Sequence, residues 1–115
     1  MNVLYVENHP KFSALVGRYL LARHRVVVVP ALAAAAAAVS NAVFDVVLLD
    51  YDLDDGKGVE IVPLLLSLTP RPKIVAVSAH KSGNDALREA GADAVCYKKD
   101  ISVIDAVIKS LFDGD

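Results

Sequence analysis

Asp50 closes the apolar run Val46–Leu49, and a carboxylate at the end of such a run is a candidate nucleophile or metal ligand. Other polar groups end other apolar runs in the same way. Glu7 and Asn8 follow Val3–Val6, Asp52 lies just past Asp50, Ser78 follows Ile74–Val77, and Lys98 and Lys99 follow Ala94–Tyr97. On neighbouring strands, Glu7 and Asp50 would repel, and each would raise the other's pKa unless a cation sat between them. Oxygen donors on rigid backbone select a hard ion such as Mg²⁺, which keeps several waters and takes few protein ligands. A Mg²⁺ beside a lysine and a hydroxyl meets the needs of phosphoryl transfer. The cations hold the equatorial oxygens, the hydroxyl adds a hydrogen bond, and a carboxylate can attack phosphorus. Taken singly, each group also has a plain structural reading. Ser78 can cap a strand end, Lys98 can be a solvated charge, Asp50 can open a turn, and Asp52 can be a solvated turn residue.

These groups converge only if the apolar runs lie side by side in one sheet. Four runs read as strands: Val3–Val6, Val26–Val29, Val46–Leu49 and Ile74–Val77, with Ala94–Tyr97 as a weaker fifth. Their apolar residues are continuous, which predicts parallel strands buried on both faces. Helical segments fall between them. Pro10 suits the first turn of a helix in which Phe12, Leu15, Val16, Tyr19 and Leu20 recur at helical spacing. Ala31–Ala38 is nearly all alanine and predicts a helix seated close to the sheet. Gly58–Leu68 predicts a third helix that Pro63 bends or starts late. Asn84–Ala90 predicts a fourth, capped by Ser82 or Asn84 and stopped at Gly91. Ile101–Phe112 predicts a fifth, with Ile101, Ile104, Val107, Ile108 and Leu111 on one stripe. Five strand–helix units with right-handed crossovers favour a doubly wound sheet of order 2-1-3-4-5. Such sheets bind ligands at the carboxyl ends of the strands, which is where the polar groups fall.

Composition sets the outer bounds. With 115 residues the chain fits one domain, and 55% hydrophobic content supplies a core. A net charge of −2 argues against direct nucleic-acid binding. The lone Cys96 reads as a small buried residue in a reducing compartment. The start, Met1-Asn2-Val3-Leu4-Tyr5-Val6-Glu7, does not read as a signal peptide. The apolar stretch Val26–Phe44 is divided by Pro30 and reads as strand then helix, not as a membrane span. A cytoplasmic location is expected.

The motifs resemble the receiver domain of bacterial two-component response regulators, over about Asn2 to Phe112. The matching residues are Leu4-Tyr5-Val6-Glu7-Asn8-His9-Pro10, Val46-Val47-Leu48-Leu49-Asp50-Tyr51-Asp52-Leu53-Asp54-Asp55-Gly56, Val75-Ala76-Val77-Ser78-Ala79, and Gly91-Ala92-Asp93 leading to Lys98. The resemblance implies an α/β flavodoxin-like (βα)5 three-layer sandwich. It implies a single receiver domain over 1–115 with no output domain. It makes Asp50 the phosphoacceptor, Ser78 the switch hydroxyl and Lys98 the ammonium that contacts the phosphoryl group. Glu7, Asn8 and Asp50, with the backbone carbonyl of Asp52, would hold Mg²⁺. Small Ala79 would leave the site open to a donor histidine and to water. The implied partners are a sensor histidine kinase or phosphotransfer protein and a downstream protein. The domain would not be an enzyme in the ordinary sense, since it promotes only its own phosphorylation and dephosphorylation.

Three residues depart from the family pattern. Asn8 replaces a second acid, which predicts weaker metal binding. Lys99 replaces the usual proline, which predicts a trans peptide after Lys98. Val95 replaces an aromatic switch residue. The alternative reading is a degenerate receiver that docks partners without phosphorylation. A phosphatase of the haloacid-dehalogenase type, a calcium loop at Asp50–Ile61 and a flavin site each lack required residues.

Overall fold

The protein is described by a computed structural model, in which residues 1–113 are placed. Five parallel strands form one sheet: β1 (Asn2–Val6), β2 (Arg25–Val29), β3 (Val46–Leu49), β4 (Lys73–Ala76) and β5 (Ala94–Val95). Their spatial order is β2-β1-β3-β4-β5, the expected 2-1-3-4-5. The order reverses between β1 and β3, so a crevice opens above their carboxyl ends. A short antiparallel hairpin, Asp52–Leu53 against Gly56–Lys57, follows β3 on that rim.

Strand pleating divides the core into two layers. Leu4, Val6, Val47, Leu49, Ile74 and Ala76 face one layer, under helices α2 (Leu32–Asn41), α3 (Val62–Ser67) and α4 (Lys81–Ala90). Val3, Tyr5, Val46, Leu48, Val75 and Val77 face the other. That second layer is closed by α1 (Pro10–Leu15), which continues as a π turn over Val16–Leu20, and by α5 (Ile104–Ser110). The central strands β1 and β3 are almost wholly buried, as their continuous apolar runs require.

The second strand is not buried on both faces as expected. It lies at the sheet edge, with Val27 45% and Val28 43% exposed. An edge strand has one neighbour only, and Val27 and Val28 lie on opposite faces of it, beside Leu4 and Tyr5. The short side chains do let α2 sit close, and Ala35 is fully buried. Pro63 moves the start of its helix: Gly58–Ile61 forms a 3₁₀ turn, and Pro63 occupies the first turn of α3. The fourth helix begins at Lys81, earlier than expected, after His80 and without a side-chain cap; Asn84 serves elsewhere. Gly91 stops it with φ of 133°, a conformation that favours glycine. A 3₁₀ segment over Lys98–Val103 precedes α5, whose Ile104 and Ile108 are buried on the expected stripe. Cys96 is buried and unpaired, as expected. No helix among the described residues is long and apolar enough to cross a membrane. The expected domain limit at Asp115 lies outside the described residues.

Candidate functional site

The carboxyl ends of β1, β3, β4 and β5 meet in one place. Glu7 and Asp50 are buried next to each other, with Lys98 reaching between them from the turn after β5. Its Nζ lies 2.7 Å from Glu7 Oε1 and 3.0 Å from Asp50 Oδ2. The ammonium also stands 5.3 Å from the centre of the Phe12 ring, which adds a cation–π contact from α1. The peptide between Lys98 and Lys99 is trans, as the missing proline predicts.

The two acids are not equivalent. Burial works to raise Glu7, but hydrogen bonds with Lys98 and then His9 outweigh it and hold its pKa below the ordinary value. Burial, and then the charge of Glu7, push Asp50 up to about 6. Lys98 is raised despite its burial, because both carboxylates favour the ammonium. Under the pair, the Tyr5 hydroxyl donates to Glu7 Oε1 at 3.5 Å, and burial together with the charge of Glu7 pushes its pKa upward. Three charged groups, one ammonium and two carboxylates, thus share a largely buried site.

Ser78 completes the rim. It is buried, and its Oγ accepts the backbone N–H of His80 at 3.2 Å. Asn84 holds its main chain from both sides. The Ser78 N–H donates to Asn84 Oδ1 at 2.9 Å, and Asn84 Nδ2 donates to the Ser78 carbonyl at 3.1 Å. This replaces the cap expected of Asn84, since a short amide competes well for nearby backbone groups. The Lys98 N–H also donates to the Ser78 carbonyl, at 3.2 Å, and ties the two strand ends together.

Asn8 and Asp52 lie at the margin. Asn8 Nδ2 donates to Asp54 Oδ1 at 3.1 Å, while its Oδ1 is buried with no hydrogen-bond partner. The Asp52 side chain turns outward to an ion pair with Lys57 across the hairpin. It therefore does not restore the negative charge lost at Asn8. Asp55 takes the N–H groups of Leu32 at 2.7 Å and Ala33 at 3.0 Å, so the hairpin caps α2.

The donor set fits a divalent cation. Glu7 and Asp50 are buried like charges whose repulsion a cation would relieve, and the amide oxygen of Asn8, next to Glu7 in the chain, is buried without a hydrogen-bond partner. His9 joins this set. Its Nδ1 is 3.0 Å from Glu7 Oε2, and one ligand atom each from Glu7, His9 and Asp50 fall within 4.8 Å of one another. His9, Phe12, Asp54 and Asn84 were not singled out as site residues from the sequence. Their positions depend on how helices and the hairpin fold back over the rim, which no local pattern reports.

Fold and rim together define a doubly wound α/β domain with a buried acid pair and a lysine at its switch point. The chain belongs to the response regulator receiver domain family, whose sequence model matches residues 3–109. Membership of this family links the domain to two-component phosphorelay signalling, in which receivers interact with histidine kinases or phosphotransfer proteins and with downstream partners. No curated protein matches the chain. Among solved structures it is similar to a CheY-like receiver domain from Methylobacillus flagellatus, at 25% identity and a TM-score of 0.84, covering 96% of this chain and 98% of that one. It is also similar to TrrA from Thermotoga maritima in complex with Mg²⁺-BeF, at 18% identity and a TM-score of 0.85, covering 96% and 98%. The Mn²⁺-bound response regulator Rcp1 shares the fold at 17% identity and a TM-score of 0.77, covering 91% of each chain.

Proposed function

We propose that Asp50 accepts a phosphoryl group from a histidine kinase or phosphotransfer protein in a Mg²⁺-dependent reaction. In this reading the modified domain then changes its binding to a downstream protein in the cytoplasm. The observation that carries it is the Lys98 ammonium bridging the buried Asp50 and Glu7, with the Lys98 backbone tied to that of buried Ser78.

In the proposed reaction a carboxylate oxygen of Asp50 attacks phosphorus. The bond from phosphorus to the donor imidazole nitrogen breaks, and its electron pair stays on the imidazole. The product is an acyl phosphate on Asp50. Lys98 already touches Asp50 Oδ2 and is placed to follow the phosphoryl oxygens. The Ser78 hydroxyl has a proton to donate to one of them. Glu7, Asp50, the Asn8 amide oxygen and the Asp52 carbonyl are the groups that would hold Mg²⁺. When bound, that ion supplies positive charge against the phosphoryl oxygens. The domain acts on no separate substrate; it promotes only the gain and loss of its own phosphoryl group.

Incubation with acetyl phosphate and Mg²⁺, read by intact mass, tests the reading. The expected result is a gain of one phosphoryl group, absent in Asp50→Asn and when Mg²⁺ is chelated. No gain in the unaltered protein would replace this reading with a docking module that works without phosphorylation.

A further inference from the structure

The metal-binding side of this site carries an imidazole that the acid pair does not need for charge. His9 lies at the start of α1, with its side chain 68% exposed. Yet its backbone N–H and its Nδ1 both turn to the same oxygen, Glu7 Oε2, at 3.3 and 3.0 Å. One donor atom each from Glu7, His9 and Asp50 lie within 4.8 Å of one another. Ligands about 2.1 Å from an octahedral ion stand about 3 Å apart when adjacent and about 4.2 Å apart when opposite. Small side-chain rotations would therefore bring all three donors around one cation. The exposed edge of His9 leaves the solvent side free for water ligands.

The neighbouring residue sharpens the point. Asn8 supplies a neutral oxygen, its Nδ2 is engaged by Asp54, and its Oδ1 is buried without a partner. Lys98 further offsets the acid pair from 2.7 and 3.0 Å. The site is thus poor in the negative charge on which Mg²⁺ relies. An imidazole repays that loss little for Mg²⁺, which prefers oxygen, but it does so for first-row transition ions.

We propose that His9 is a direct ligand of the divalent ion held by Glu7 and Asp50, and that it tilts this site from Mg²⁺ toward first-row transition ions such as Mn²⁺. The proposal rests on the metal-binding reading given above for Glu7 and Asp50. Glu7 and Asp50 supply charge, His9 supplies the nitrogen, and the Asn8 amide oxygen, the Asp52 carbonyl and water fill the remaining positions.

The test uses the untagged full chain with Mn²⁺ as the probe. Pulsed electron paramagnetic resonance of the bound Mn²⁺ should show modulation from a directly coordinated ¹⁴N, lost in His9→Ala and kept in His80→Ala. In calorimetric titration, His9→Ala should weaken Mn²⁺ by at least the roughly tenfold that loss of even an outer-shell partner causes. Mg²⁺ affinity should change less than about twofold, because Mg²⁺ gains little from nitrogen. Mn²⁺ bound without ¹⁴N modulation, or equal losses for both ions, would overturn the role of His9 and leave the acid-pair site standing. Mn²⁺ binding that is absent, or that survives Asp50→Asn unchanged, would overturn the metal site itself and His9 with it.

Discussion

Asp50 and Glu7 meet under burial, and the consequence for stability can be worked out in sign. Asp50 is held above its ordinary value of 3.8, at about 6, by burial and by the charge of Glu7. The folded state therefore favours the protonated acid. That contribution is complete below the ordinary value and is lost as pH rises through about 6. Asp50→Asn, which never ionises, should match the unaltered protein near pH 3.5 and exceed it by about 2–3 kcal/mol above pH 7 without metal. Denaturant unfolding at several pH values checks this, and a pH-independent difference would contradict it. Saturating Mg²⁺ should shrink the advantage, because a cation between the acids removes the repulsion. Asn8→Asp acts in the other direction. It restores a carboxylate beside the pair and should tighten Mg²⁺ on the order of tenfold, since ligand charge sets affinity at such sites. Equal Mg²⁺ affinity in a titration would sink that expectation. The same substitution sets a carboxylate against Asp54, so metal-free Asn8→Asp should be less stable than the unaltered protein.

Elements deliver these residues, and the elements differ in how openly the sequence announces them. Strands β1, β3 and β4 are buried on both faces, so their apolar runs carry the signal directly, and Glu7, Asp50 and Ser78 follow as the first polar residues past them. The same rule misjudged the burial of β2: its run of valines reads as buried on both faces, although the order 2-1-3-4-5 sets it at the sheet edge. The start of α4 was missed for a different reason. Asn84 looks like a cap, but its amide is spent bracing the Ser78 main chain, a contact made across a turn and not along a helix. Asp93, read as part of a motif, pins the start of β4 by accepting the Ile74 N–H at 2.8 Å and pairing with Arg71. The turn after the hairpin shows how tightly elements are fitted at the site. A Cβ at Gly58 would stand 2.0 Å from the Asp50 carbonyl oxygen, whereas one at Gly17 would meet nothing within 4 Å. Gly58→Ala should thus cost about 1–3 kcal/mol or more by overpacking backbone against backbone. Gly17→Ala should be neutral or stabilising by up to about 1 kcal/mol. Unfolding midpoints for the two variants compare them directly, and equal effects would show that the fit around Asp50 is loose.

Across the whole molecule, the question is how far a change at Asp50 travels. Three hydrogen bonds meet at the Ser78 backbone: its N–H donates to Asn84 Oδ1 on α4, and its carbonyl accepts from Asn84 Nδ2 and from the Lys98 N–H. A movement of Ser78 or Lys98 must therefore disturb His80–Asn84 and the turn at Cys96–Asp100. Gly83 makes the first of these links close, since a Cβ there would stand 2.7 Å from Ser78 Oγ. The path toward α5 is different. Val95 packs as an apolar residue against the layer under α4, and it has no polar atom to follow Ser78. The buried stripe of α5, Ile104 and Ile108, belongs to the opposite layer, across the sheet. Phosphorylation should therefore shift backbone amide resonances strongly over 78–84 and 96–100, and weakly over 104–110. Spectra recorded with and without acetyl phosphate and Mg²⁺ measure the pattern. Shifts over α5 as large as those at His80 and Lys98 would mean that the apolar packing itself carries the signal through the sheet. The expected pattern instead makes the exposed start of α4, beginning at His80 and Lys81, the surface on which a partner would read the state of Asp50.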